Sequence, residues 1–214
     1  MNKPLEYSYK TLEFDGIDIH VKTLKNKNQF SDDEHTARDL GISSAQWSLF
    51  GVVWDCSMVL AHEMIEQDIE GKKILEVGCG IAVASHVLNA RGANITATDY
   101  HPEVETFLKI NAELNDKKLI PFVLENWNTA ESNLGKFDLI VASDVLYESE
   151  HIELLSQFLV SHAEATCEII VVDPNRGHIN KFTRAVQALG FTHEAKKSTR
   201  ATEYKAMIHR YQRS

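Results

Sequence analysis

ILEVGCG, residues Ile74 to Gly80, is the stretch that decides the fold of this chain. An apolar strand runs into a glycine turn. A helical run from Ala82 to Arg91 follows, stopped by Gly92, and a second apolar strand, Asn94 to Asp99, ends in an acid. Strand, glycine turn, helix and acid-tipped strand, in that order, build a nucleoside-binding crevice. The acid stands about twenty residues beyond the turn, where an ionised carboxylate can accept both hydroxyls of a ribose. The turn reads Glu76-x-Gly78-x-Gly80, and Val83 stands where a pyrophosphate-binding turn would carry its third glycine. A ligand with a free ribose and no phosphates suits this turn better than a dinucleotide does.

Outward from that unit the chain alternates strand and helix. Pro102 opens a helix that runs to about Asn115, with the apolar stripe Val104, Phe107, Leu108 and Leu114. Ile120 to Leu124 reads as a strand that Pro121 pushes toward an edge or a strand start. Phe137 to Ser143 is nearly continuous in apolar residues, as a strand buried on both faces should be. Helices are expected over Ile152 to Val160 and Lys181 to Leu189, and a buried strand over Glu168 to Val172, ended by Asp173-Pro174. Phe191 to Thr199 and Glu203 to Tyr211 close the chain as an antiparallel strand pair.

Toward the N-terminus, Trp47 to Met64 is apolar and takes helical spacing from Trp54. Asn26 to Asp39 is a polar loop, and Tyr7 to Leu24 is a β-hairpin turning at Asp15-Gly16. The expectation is one α/β domain: a doubly wound, Rossmann-like sheet of seven strands with a C-terminal antiparallel pair. Residues 1–40 form a hairpin and loop cover, and residues 47–214 form the core.

The bulk properties narrow the partners. At 214 residues, 43% hydrophobic and 25% charged, the composition is that of an ordinary globular domain. No apolar run approaches a bilayer span, so no membrane partner is expected. Three scattered cysteines without C-x-x-C spacing suggest a reducing, cytoplasmic setting. A net charge of −9 opposes broad nucleic-acid binding and mildly favours a cationic substrate. The ten histidines lack ligand spacing, so no metal is implied. Absence of G-x-S-x-G argues against covalent catalysis. Oligomeric state is open.

Each candidate residue has a plainer alternative. The glycines alone could mark only a tight turn. Trp127, after Asn126, could be a loop anchor rather than a stacking platform. Trp54 and Trp47 could be core. Asp144 could cap the following helix, and Tyr147 could be packing. Asp173, Pro174 and Arg176 could be a rigid turn. Against these stands position: Ser143, Asp144 and Asp173 end strands on the side of the sheet where ligands bind. S-adenosylmethionine is the common nucleoside ligand that carries a ribose without phosphates.

Five stretches together resemble the class I (seven-strand) S-adenosylmethionine-dependent methyltransferases, and within them family 16, which contains the protein-lysine methyltransferases. They are FGVVWDCSMVLA (Phe50 to Ala61), ILEVGCG, and ATDYHPE (Ala97 to Glu103) with the helix ending Asn111-Ala112-Glu113-Leu114-Asn115. To these add FDLIVASDVLYE (Phe137 to Glu148), with its D-x-x-Y pattern, and DPNRG (Asp173 to Gly177), which is similar to the D-P-G-R turn of bacterial relatives apart from Asn175. The resemblance covers Trp47 to the C-terminus. It implies S-adenosylmethionine as cofactor and S-adenosylhomocysteine as product. It implies cofactor contacts from Trp54, Glu76, Gly78, Cys79, Gly80, Asp99, Tyr100, Asn126, Trp127 and Ser143. Catalytic roles fall to Asp144 and Tyr147, and Asp173 and Arg176 join an acceptor pocket; Trp47, which the resemblance does not support, is structural or a wall of that pocket.

The activity so implied is N-methylation of a protein lysine. A small-molecule amine, nicotinamide-like, is the alternative acceptor, and a silent cofactor- or partner-binding module is the alternative outside enzymes. The nucleic-acid amide methyltransferase signature [DNS]-P-P-[YFW] is absent, since the chain reads Ser143-Asp144-Val145-Leu146.

Overall fold

A computed structural model describes residues 4–32, 36–128, 132–147, 149, 151–175, 177–198 and 204–214. Strands β1 (Tyr7–Phe14) and β2 (Ile17–Leu24) pair antiparallel through the two-residue Asp15-Gly16 turn, with Phe14 opposite Ile17. Two short helices follow: α1 (Thr36–Asp39), where the sequence reading expected loop, and α2 (Ser44–Trp47), just ahead of the apolar run that begins at Trp47. A capping box starts α2: Ser43 Oγ accepts the Gln46 N–H, and the Gln46 side chain reaches back to the Ser43 backbone. The chain tightens into a 3-10 turn, Ser48–Gly51, before α3 (Asp55–Glu66), for which Trp54 is the N-cap rather than a helical residue.

The core continues with β3 (Lys73–Val77), α4 (Val83–Ala90), β4 (Asn94–Asp99), α5 (Val104–Leu114), β5 (Phe122–Leu124), β6 (Phe137–Ser143), α6 (His151–Ser161), β7 (Ala163–Asp173), α7 (Ile179–Ala188), β8 (Thr192–Lys197) and β9 (Met207–Arg213). The seven-stranded sheet has the order β5-β4-β3-β6-β7-β9-β8. Strands β5, β4, β3, β6 and β7 are parallel, and β9 inserts antiparallel between β7 and β8. The strand order reverses between β3 and β6, which leaves a crevice at their C-terminal ends.

Period-two alternation assigns each strand's side chains to two cores. Ile74, Leu139, Val141, Ile170 and Val172 face α3, α4 and α5, whereas Leu75, Val77, Ile140, Ala142, Ile169 and Val171 face α6 and α7. That two-sided burial is why β6 and the end of β7 read as unbroken apolar runs. On the first face Arg210 of β9 bonds Glu168 of β7 at 2.6 Å and Glu63 of α3 at 3.1 Å, tying α3 to the sheet.

Several boundaries differ from expectation for physical reasons. Strand β7 begins at Ala163, five residues ahead of Glu168. Its early carbonyls on Ala163, Glu164 and Ala165 accept from the Arg213 guanidinium, so polar residues there remain in the sheet. Leu114 is not on the packed stripe of α5 but 39% exposed. The packed stripe runs Val104, Phe107, Leu108, Asn111 and Ala112 at helical spacing; Leu114 keeps the spacing, seven residues beyond Phe107, but is the last residue of α5 and lies past the packed part of the helix. Residues 44–66 form a 23-residue stretch that is apolar and largely helical. The run breaks at the 3-10 turn and the extended Val52, and its apolar residues fill the core.

The hairpin lies over α5 and α4, and α5 pairs its open edge. Asn111 Oδ1 accepts the Lys22 N–H at 2.7 Å, and its Nδ2 donates to the Lys22 carbonyl at 3.3 Å. One turn on, Asn115 does the same for His20, at 2.8 and 2.7 Å. Two side-chain amides thus substitute for a neighbouring strand.

Candidate active site

Strand β3 ends at Val77 and the chain turns through Gly78 at φ 62° and Gly80 at φ 53°. Both sit in the left-handed region, which costs an L-residue about 1–2 kcal/mol. Crowding adds to this. A Cβ on Gly78 would lie 2.8 Å from Val145 Cγ1 and 3.7 Å from the Trp127 ring, and one on Gly80 would lie 3.0 Å from the Phe50 carbonyl oxygen. The protein's own packing therefore already requires both glycines. The Cys79 N–H donates to the Thr98 carbonyl at 3.1 Å, and the Ala82 N–H to the Cys79 carbonyl at 2.7 Å.

Asp99, at the tip of β4, is 7% exposed. Its Oδ2 accepts the Gly80 N–H and its Oδ1 the His101 N–H, each at 2.9 Å. Burial raises its pKa, and the surrounding backbone N–H groups of Gly80, His101 and Tyr100 oppose that rise. His101 stacks on Phe50 with ring centroids 4.0 Å apart and meets Trp47 edge-on at 5.4 Å. Burial pulls the His101 imidazole down to about 4, so it is neutral at physiological pH.

The opposite wall comes from the end of β6. Asp144 has φ 57°, and its N–H donates to the Val172 carbonyl at 2.9 Å, so the β6–β7 ladder holds a left-handed residue in place. Helix α6 starts only at His151, which rules out Asp144 as its N-cap. Trp54 fixes its indole by donating Nε1–H to the Leu49 carbonyl at 2.9 Å.

A cavity of about 330 Å³ opens between these walls. Of the residues chosen from sequence, Trp54, Gly78, Cys79, Gly80, Asp99, Tyr100, Trp127, Ser143, Asp144 and Tyr147 line it. Asn126 lines an adjoining cavity of about 200 Å³ that shares Gln46, Tyr100, Trp127 and Tyr147 with the first.

Three choices lie off the wall. Glu76 is 1% exposed, and its Oε2 accepts the Ser85 N–H at 2.8 Å and the Ser85 hydroxyl. It fastens the first turn of α4, and burial pushes it up to about 7 with help from nearby Asp99 and against the Ser85 bonds. Trp47 is buried behind Phe50 and His101 as packing, because its ring is enclosed by Phe30, Phe50 and His101. Asp173 is buried at the end of β7, where Oδ1 accepts the Asn175 N–H at 2.6 Å and shapes a rigid turn. Arg176 lies outside the described residues, as does Glu148.

The wall also contains Lys27, Gln46, Phe50, His101 and Val145, which the sequence reading did not select. The Ser43-x-x-Gln46 spacing was a legible capping-box signal for Gln46. Lys27 has none, since only the tertiary crossing of its loop brings it here. Chemically the site offers two carboxylates, aromatic faces and fixed backbone, and among the described residues no activated nucleophile. Burial holds the Cys79 thiol well above its ordinary range, with Asp99 and Glu76 adding to the shift. Among the described residues no group of three or more His, Cys, Asp or Glu side chains is placed to hold a metal ion.

This arrangement agrees with what comparisons of the chain find. The lysine methyltransferase family profile matches residues 35–188, well over half of the chain. A protein N-lysine methyltransferase of Danio rerio is 34% identical over 127 residues, spanning 54% of this chain and 58% of that protein. A histidine protein methyltransferase 1 homolog of Dictyostelium discoideum is 29% identical over 120 residues, 53% of this chain and 39% of that one. The chain thus spans about half the length of these curated relatives. Among solved structures, a T. thermophilus 16S rRNA methyltransferase in complex with AdoMet and guanosine superposes with a TM-score of 0.70 at 13% identity. That likeness covers 99% of this chain and 52% of the other, and it shows a shared fold. Family profile, sheet order and glycine-turn crevice converge: the chain belongs to the lysine methyltransferase family.

Proposed function

We propose that this protein transfers a methyl group from S-adenosylmethionine to a lysine side chain of another protein. The observation that carries the proposal is a single cavity in which Asp99 and the glycine turn stand opposite Ser143, Asp144 and Tyr147. The wall fits the cofactor. Asp99 accepts backbone N–H groups at both oxygens, and a carboxylate's roughly four lone-pair sites leave acceptor capacity for ribose hydroxyls. Trp127 and Tyr100 offer faces for the base. Gly78 and Gly80 present bare backbone to the same cavity.

When bound, S-adenosylmethionine supplies an electrophilic methyl on a positively charged sulfur. The protein's part is alignment and electrostatics. Asp144, held by the β6–β7 ladder, orients the incoming amine and offsets its charge. The rings of Tyr147 and Trp54 present π faces to the cation. The amine must shed a proton before it can attack, and a partly acidic, half-buried wall favours entry of the cationic form. The acidic net charge favours a basic protein segment over a nucleic acid. A cytoplasmic setting belongs to the same proposal.

Similarity to a histidine protein methyltransferase homolog supports one rival, an imidazole acceptor. Both are decided by one experiment. Methyl-labelled S-adenosylmethionine is incubated with the protein and a cell lysate, and the labelled product is hydrolysed to amino acids. Methyl-lysine in protease-sensitive material, lost with Asp144→Ala, is the expected result. Label in methylhistidine would establish the rival, and label in small molecules alone would overturn the protein acceptor.

A further inference from the structure

We propose that Lys27 binds the α-carboxylate at the methionyl end of the cofactor, and that residues 25–30 form a strap that holds it there. This rests on the cavity being an S-adenosylmethionine site. The cofactor has three charges at its amino-acid end: a sulfonium, an ammonium and a carboxylate. Asp99 and Asp144 suit hydroxyls and cations. Among the described residues on the cavity wall, Lys27 is the one lysine or arginine.

Three N–H groups of the turn are already committed. Its Cys79, Gly80 and Ala82 N–H groups already donate to Thr98, Asp99 and Cys79. A helix-start or glycine-turn anion site needs such groups uncommitted. A side-chain cation is therefore the favoured partner for the carboxylate.

Position selects the same residue. With its ribose at Asp99 on β4, the ligand extends one way toward β5 and Trp127 and the other way toward the turn after β3. Lys27 belongs to the second end by direct contacts. Its carbonyl accepts the Ser48 hydroxyl, Ser48 begins the 3-10 turn, and the Phe50 carbonyl of that turn abuts Gly80. The Lys27 Nζ lies 5.9 Å from the ring centroid of Trp54, and both residues line the cavity.

The strap is anchored from both sides before any ligand arrives. Glu6 N–H donates to Gln29 Oε1 at 2.6 Å, and Gln29 Nε2 returns a bond to the Glu6 carbonyl at 2.9 Å. The Lys25 N–H also donates to that carbonyl at 2.9 Å, and Phe30 meets Trp47 edge-on at 5.9 Å. A backbone fixed in this way lowers the ordering cost of the contact.

Calorimetry on the full chain tests the assignment with two ligands. S-adenosylhomocysteine carries the amino-acid end; 5′-methylthioadenosine keeps the nucleoside and the thioether but lacks the carboxylate. Lys27→Met should weaken S-adenosylhomocysteine by roughly tenfold to a hundredfold, the range of a charge-assisted hydrogen bond. It should leave 5′-methylthioadenosine unchanged, and Lys27→Arg should restore most of the loss. Equal weakening of both ligands, or of neither, overturns the proposal while leaving the cofactor site intact. Wild-type protein that binds neither ligand overturns the cofactor site and the proposal together. A methyl group found on Lys27 after incubation with S-adenosylmethionine would place its amine at the sulfonium instead and would also overturn it.

Discussion

Asp99 Oδ2 accepts the Gly80 N–H at 2.9 Å, joining the tip of β4 to the glycine turn after β3. The bond sets the carboxylate and the turn in one rigid corner. A ribose would meet a group whose position is already paid for by folding. Removing either partner should therefore act on the other.

Gly80→Ala tests that corner from the turn side. The new Cβ would sit at φ 53° and 3.0 Å from the Phe50 carbonyl, a rigid neighbour. The expected loss is about 1–3 kcal/mol of folding stability in urea unfolding. S-adenosylhomocysteine affinity should fall as well, because Asp99 loses its anchor. Unchanged stability would show that the turn relaxes at little cost.

Asn111→Ala, alone and with Asn115→Ala, tests the clamp on β2. Each variant strips partners from a backbone N–H and C=O pair, at about 1–3 kcal/mol if those groups stay away from water. Hydrogen exchange should accelerate across residues 17–24 and stay near wild type in β6. Uniform acceleration would mean that the hairpin and the sheet unfold as one unit.

Glu76→Gln should change how stability depends on pH. The folded protein holds the Glu76 proton up to about pH 7, whereas an unfolded glutamic acid releases it near 4.5. Between those values the folded state binds more protons, so this residue lowers stability as pH rises. Relative to wild type, the variant should gain stability from about pH 4.5 to 7 and level off above. Buried His86, pulled down to about 4, has the opposite sign: stability is lost as pH falls from 6.5 toward 4. It is present in both proteins and cancels in the difference. A flat difference across the window would refute the assignment.

The parts legible in sequence were those fixed by local pattern. The runs at Lys73–Val77, Asn94–Asp99 and Phe137–Ser143 fall within their observed strands because burial on both faces writes itself into composition. Ten of the chosen residues share one cavity because strand ends converge there by topology. Features set by tertiary contact stayed hidden. Glu76 resembles a ligand residue in sequence, yet Ser85 on the next helix turns it inward. Trp47 is drawn behind the wall by three aromatic neighbours. The polar start of β7 depends on Arg213 from the far end of the chain, and Lys27 reaches the cavity by a loop crossing without periodicity.

Titration calorimetry of S-adenosylhomocysteine into wild-type protein and Asp99→Ala tests the central claim most directly. The account predicts saturable binding at one site in the wild type and a loss of about tenfold or more in the variant, since two ribose hydroxyls lose a charged acceptor. No heat with the wild type, or equal affinity for both proteins, would contradict it.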